Sequence, residues 1–197
     1  SALICFQEVI SLAEASGDYE QQIMVLANIA EVLGVLGKPD KAELTLHKSY
    51  QLSMHYGQPL QTAQALGSLA QFQMDRCQYT KSIETYKKAL VLIGSIADQN
   101  PYRHDYFIAD WHRRIGISYN KLWKHAEAID HLKIAADIYK RRGTREGESR
   151  VFRDIGNSYS QLERLDRAHT YLSRSLSISR DFDLASEIPA DLLSLAR

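Results

Sequence analysis

The chain has 197 residues, 45% of them apolar and 24% charged, with four prolines and with 24 basic side chains balanced by 24 acidic ones. That length and apolar fraction can bury a sizeable core, as ordinary domains or as one elongated repeat domain, and they exclude a disordered chain. The even charge advertises neither nucleic acid nor membrane, and no apolar run approaches the roughly 20 residues of a membrane span.

Apolar residues recur with a helical period along the whole chain. Residues 2–16 read as a first helix, with Ile4, Phe6, Val9 and Ile10 as its core positions and Gly17-Asp18 as its end. Residues 19–36 and 39–56 read as an antiparallel pair, with Pro39 in a first helical turn and Gly57 at a helix end. A second pair takes 59–76 and 79–97, after which Asp98-Gln99-Asn100-Pro101 breaks the pattern. A third takes 104–122 and 125–142, ending at Gly143, and a fourth takes 146–162 and 165–181. A last helix is expected from Ser186 to Arg197.

These pairs are copies of one unit. Ala2, Ala42, Ser82, Ala128 and Ala168 serve as anchors on successive second helices, spaced 40, 40, 46 and 40 residues apart. Four residues behind each anchor stands a bulky side chain: Phe6, Leu46, Tyr86, Leu132 or Leu172. Seven behind stand Val9, Ser49, Ala89, Ala135 and Ser175. The first helices repeat Leu26-Ile29-Ala30-Leu33 as Leu66-Leu69-Ala70, Ile115-Gly116-Tyr119 and Phe152-Ile155-Gly156-Tyr159. The small residues Gly156 and Ala168 let two helices approach closely.

That pattern of large, apolar, small and aromatic positions resembles the tetratricopeptide repeat family. The 40-residue period is similar to its long-repeat branch, which includes LGN/Pins-type spindle-orientation adaptors and kinesin light chains. The resemblance implies an all-α fold: a right-handed superhelix, or solenoid, of antiparallel helix hairpins, about ten helices in all. One array is expected over residues 1–197, entering on a second helix without its first (2–16) and leaving on a first helix without its second (186–197). Such ends are those expected of a piece of a longer protein.

No catalytic or ligand-holding motif accompanies the repeats. The seven histidines form neither HExxH nor any Cys-His cluster of metal-ligand spacing, and Cys5 and Cys77 make no disulfide framework, which favours a cytoplasmic location. There is no phosphate-cradling glycine loop and no GxSxG elbow. Trp111 and Trp123 are assigned to packing between helices. The expectation is a non-enzyme without cofactor or metal.

Binding is the better-supported class. Residues 1–60 carry seven acidic and three basic side chains, residues 121–180 eight and thirteen, so charge changes sign along the chain. The resemblance implies that first helices line a concave groove. Its rows would be Met24, Ala27, Glu31 and Gly34, then Gln64, Gly67, Gln71 and Met74, then Asp110, Arg113, Ile117 and Asn120, then Arg150, Arg153 and Asn157. Arginine forks pair with carboxylates and asparagine pairs with peptide groups, so Arg113, Asn120, Arg150, Arg153 and Asn157 are the candidate partner-binding residues. In the LGN-like branch an early Arg and the Asn after the core Gly meet an extended acidic peptide, and Arg150 and Asn157 match those positions.

The expected partner is therefore a protein or peptide with an acidic segment. The same arginines could instead solvate a helix face or bridge to Asp110, Glu146 and Asp154. Two other roles stay open: a structural or self-associating spacer, with Ile4, Phe6, Leu192 and Leu193 as apolar contacts, or a regulatory domain of an enzyme lying outside this sequence. The basic block lacks interleaved exposed aromatics, which argues against nucleic acid.

Overall fold

A computed structural model describes residues 2–96, 101–184 and 187–195, with backbone alone for 2–4 and 101–103. All the regular structure among them is α-helical. The helices are α1 (Ala2–Ser16), α2 (Tyr19–Val35), α3 (Pro39–Tyr56), α4 (Pro59–Asp75), α5 (Tyr79–Ile96), α6 (Pro101–Lys121), α7 (His125–Arg142), α8 (Arg145–Gln161), α9 (Leu165–Asp181) and α10 (Ile188–Leu195). They form two compact units, Ser1–Asn100 and Pro101–Arg197. Asp98, Gln99 and Asn100 of the expected break, and Ser186, Ala196 and Arg197 of the expected last helix, lie outside the described residues. Helix α6 starts at Pro101, three residues earlier than the periodicity suggests. Proline tolerates the first turn because its missing N–H would have no intrahelical acceptor there.

One turn chemistry joins most of these helices. A single residue adopts positive φ and the next N–H returns to the carbonyl five residues back, as in Lys38 to Leu33, Gln78 to Gln73, Lys124 to Tyr119 and Arg164 to Tyr159 (2.8–3.0 Å). The bond satisfies a helix-end carbonyl. Glycine holds that position at 17, 37 and 143, whereas Cys77, Trp123, Glu163 and Asp183 hold it with side chains attached. Trp123 corrects the sequence reading. It is 76% exposed on a turn, where it makes a T-shaped ring contact with His125, while Trp111 is buried as expected.

In the first unit, Val25, Ile29, Ala30 and Leu33 of α2 meet Ala42 and Leu46 of α3 and Leu69 of α4, with Phe6, Val9 and Ile10 of α1 partly covered against them. The second unit buries Ile129, Leu132, Ala135 and Ala136 of α7 against Val151, Phe152 and Ile155 of α8. Anchor positions are small because helix backbones nearly touch there. Ser82, the one polar anchor, donates its hydroxyl to the Ala70 carbonyl at 2.8 Å. At Gly156 an added Cβ would stand 2.6 Å from Leu172 Cγ and 3.2 Å from the Ala168 carbonyl oxygen, and Gly116 faces Leu132 and Ala128 in the same way.

Candidate functional site

Of the rows expected in the first unit, Met24, Ala27 and Gln64 border a groove of about 120 Å³ between α2 and α4. Glu20, Met24 and Ala27 line one wall, and Gln61, Gln64 and Ser68 line the other. Met24 is 60% exposed, so the groove offers a flexible apolar contact beside neutral amides and one carboxylate.

The second unit is built from charge. Arg113 on α6 reaches Asp154 on α8, Nε to Oδ2 at 2.8 Å, and both side chains are more than four-fifths buried. Asn120 on α6 donates to Ser158 Oγ at 2.8 Å and accepts from His125 Nδ1 at 2.9 Å. Both candidates thus hold α8 against its neighbours. Arg150 lies between Glu146 on its own helix (2.6 Å) and Glu187 (2.7 Å). Arg153 bonds the other oxygen of Glu187 at 2.8 Å and Asp191 at 3.1 Å. Asn157 is half-buried, and its side chain makes no hydrogen bond among the described residues.

Of the alternative bridges, Arg113 to Asp154 and Arg150 to Glu146 are present, while Asp110 takes Arg114 at 2.6 Å. Glu187 and Asp191 escaped the sequence reading. Burial alone would raise the Glu187 pKa, but the hydrogen bonds from Arg153 and Arg150 outweigh it and hold the carboxyl below its usual range. Burial of Arg153 likewise opposes its charge, and its bond to Glu187 and the nearby carboxylates more than compensate.

Asp191 is fully buried in a nest of hydroxyls. Ser175 donates to Oδ1 at 2.7 Å, Ser179 to Oδ2 at 2.6 Å, and Ser149 stands within 3.0 Å of both serine oxygens. Seven and eleven residues behind the anchor stand Ser175 and Ser179, where the two preceding repeats have Ala89 with Ile93 and Ala135 with Tyr139. The repeat anchored on Ala42 has Ser49 and Ser53 there, bonded to backbone carbonyls, so the serines alone did not announce a carboxylate.

The histidines hold a second feature that spacing could not show. His112 on α6 and His131 on α7 meet Nδ1 to Nδ1 at 2.9 Å, and Tyr119 stacks on His131. One ring must donate and the other accept, so at least one ring must be neutral and the bond is lost when both are protonated. Burial first, and then the charge of His131, push the His112 pKa down to about 4. The folded state therefore binds fewer protons than the unfolded state between the ordinary histidine pKa of about 6.5 and 4. Stability from this group is full above that window and declines as pH falls through it, by on the order of 2 kcal/mol. Urea unfolding of wild type and His112→Phe from pH 7 to pH 4 is expected to show a shallower acid decline in the variant. Parallel declines would exclude the pair as their cause.

No group of three or more His, Cys, Asp or Glu side chains among the described residues could hold a metal ion. No described helix is long and apolar enough to cross a membrane.

Residues 107–181 match the family model of the tetratricopeptide repeat. Among curated proteins nothing matches the chain significantly. Among solved structures it is similar to BtubC (BKLC) from P. vanneervenii, at 16% identity over 96% of this chain and 77% of that one, with a TM-score of 0.82. It is similar to the apo form of RapI at 16% identity and a TM-score of 0.77, covering 91% of this chain and 48% of RapI, so it spans about half of that protein. The TPR-like repeats of a putative kinesin light chain of Podosopora anserina align at 12% identity over 92% of this chain and 87% of that one, with a TM-score of 0.70. At such identities these likenesses concern the fold.

Proposed function

From a chain whose residues 107–181 belong to the tetratricopeptide repeat family and whose fold is that of such repeats, we propose a non-enzymatic protein-interaction scaffold that binds an acidic segment of a partner. The observation that carries this reading is the pairing of Arg150 and Arg153 with two carboxylates side by side, Glu187 and Asp191. A surface that already orders two carboxylates has the donors and spacing to order a partner's. Arg150, Arg153 and the unbonded Asn157 are the contact residues, and Arg113 and Asn120 position α8 beneath them. The exposed thiols of Cys5 and Cys77 suit the cytoplasm.

Capture of partners from cell extract tests this. The Arg150→Glu, Asn157→Asp variant, checked for unchanged helicity, is expected to lose at least about tenfold in affinity for the partner that wild type retains. Equal retention would move the site to the α2–α4 groove. A second reading, self-association, is favoured by the adjacent Leu192 and Leu193 on α10, 45% and 57% exposed. Concentration-dependent mass in solution would reveal it.

A further inference from the structure

Helix α10 is attached in an unusual way. Apart from Glu187, whose carbonyl accepts the Asp191 N–H at 3.0 Å, Asp191 is its one buried side chain. Both are acidic and lie one helical turn apart, facing α8 and α9. Leu192 and Leu193 are exposed, and Ile188, Ala190 and Leu195 are only half-buried. None of the apolar side chains of α10 is buried, whereas each of the other helices buries at least one.

The seat differs in kind from the equivalent ones. Where α8 follows α7, the ring of Tyr139 lies against Gly147, an apolar contact so close that an added Cβ would stand 2.5 Å from the ring. Where α4 follows α3, Thr62 donates to the Ser53 carbonyl at 2.9 Å, a neutral contact. Where α10 follows α9, three serine hydroxyls and two guanidinium groups converge on carboxylates. Emptied, that seat would leave Arg153 and the hydroxyls of Ser149, Ser175 and Ser179 without their carboxylate, and such groups require refilling by water or another anion.

Resting on the reading of Arg150 and Arg153 as an acidic-segment site, we propose that α10 is a latch occupying that site in cis. Its competitor is a partner helix that presents Glu and Asp at the same four-residue spacing, enters the cradle of Arg150, Arg153, Ser149, Ser175 and Ser179, and displaces α10. Affinity for the partner is then reduced by the fraction of molecules whose latch is closed.

The probe is a fluorescein-labelled peptide of residues 187–195, EIPADLLSL, with QIPANLLSL as its control. It is titrated into the full chain and into a Glu187→Gln, Asp191→Asn variant of the full chain, with anisotropy as the readout. The acidic peptide is expected to bind the variant at least about tenfold more tightly than wild type, and the control peptide to bind neither. Equal, measurable affinity for both proteins would overturn the latch and leave the acidic site standing. Absence of binding to both would overturn the cradle as a site for a second helix, and the extract capture would then judge the acidic-partner reading by itself. Should the variant lose helicity, amide exchange over residues 188–195 in wild type decides: faster exchange with saturating peptide supports displacement, and unchanged exchange refutes it.

Discussion

Arg113→Met is expected to destabilise the Pro101–Arg197 unit by about 3 kcal/mol at pH 7, the cost of leaving a buried carboxylate without its partner. Asp154 is the group left behind. Burial already raises its pKa, and Arg113 opposes that both by charge and by a 2.8 Å hydrogen bond, with Arg153 a further opposing charge. Without Arg113 the Asp154 pKa rises further above its unfolded value. A group raised in this way favours folding below its unfolded pKa and loses that contribution as pH rises through the folded one. The deficit of the variant is therefore expected to shrink on going from pH 7 to pH 5. Adding Asp154→Leu should recover most of the stability, because a buried pair replaced as a whole by apolar groups is often neutral. Urea unfolding of the two single variants and the double variant measures all three quantities. A cost below about 1 kcal/mol for Arg113→Met would show that the pair is solvated like a surface bridge, and Arg113 would return to the list of contact residues.

Gly156→Val is expected to cost about 3 kcal/mol by forcing α8 and α9 apart. The first added carbon would stand 2.6 Å from Leu172 Cγ, 2.7 Å from its Cδ2 and 3.2 Å from the Ala168 carbonyl oxygen. Leu172 is 4% exposed and has little room to turn away, and the carbonyl belongs to the α9 backbone. Gly156→Ala meets the same first contact but gains roughly 1 kcal/mol of helix propensity over glycine, so its net loss should be the smaller. Leu172→Ala in the Gly156→Val background should restore part of the loss, which thermal unfolding would show as a rise in midpoint relative to the valine variant. A valine variant as stable as wild type would mean that the two helices can separate without penalty at this crossing.

Much of the fold is legible in the residues themselves. The anchors Ala42, Ala128 and Ala168 are small and fully or almost fully buried, and Leu46, Leu132 and Leu172 four residues on are buried with them. Both facts are local, because a helical period places those side chains on one face whatever lies opposite. The site was legible mainly as a set of donors. Arg113, Arg150 and Arg153 could be named from their spacing, and so could the bridge from Arg150 to Glu146 one turn away. Asp154, however, lies 41 residues from Arg113, and Glu187, in the turn before α10, lies 37 and 34 residues from Arg150 and Arg153. No periodicity within one repeat connects those partners. The trio of Ser149, Ser175 and Ser179 stands in the sequence as three small polar residues, and only the carboxylate of Asp191 makes it a cradle. His112 and His131, 19 residues apart on different helices, become a proton-sensitive pair for the same reason.

The sequence by itself determined the helices, their pairing into repeats and the small residues at each crossing, because these follow from the 3.6-residue period and from side-chain volume. The tertiary structure decided which charges pair with one another inside the chain. Charge is long-ranged and indifferent to sequence distance, so an arginine on α8 takes the nearest carboxylate that packing delivers, and here packing delivers α10.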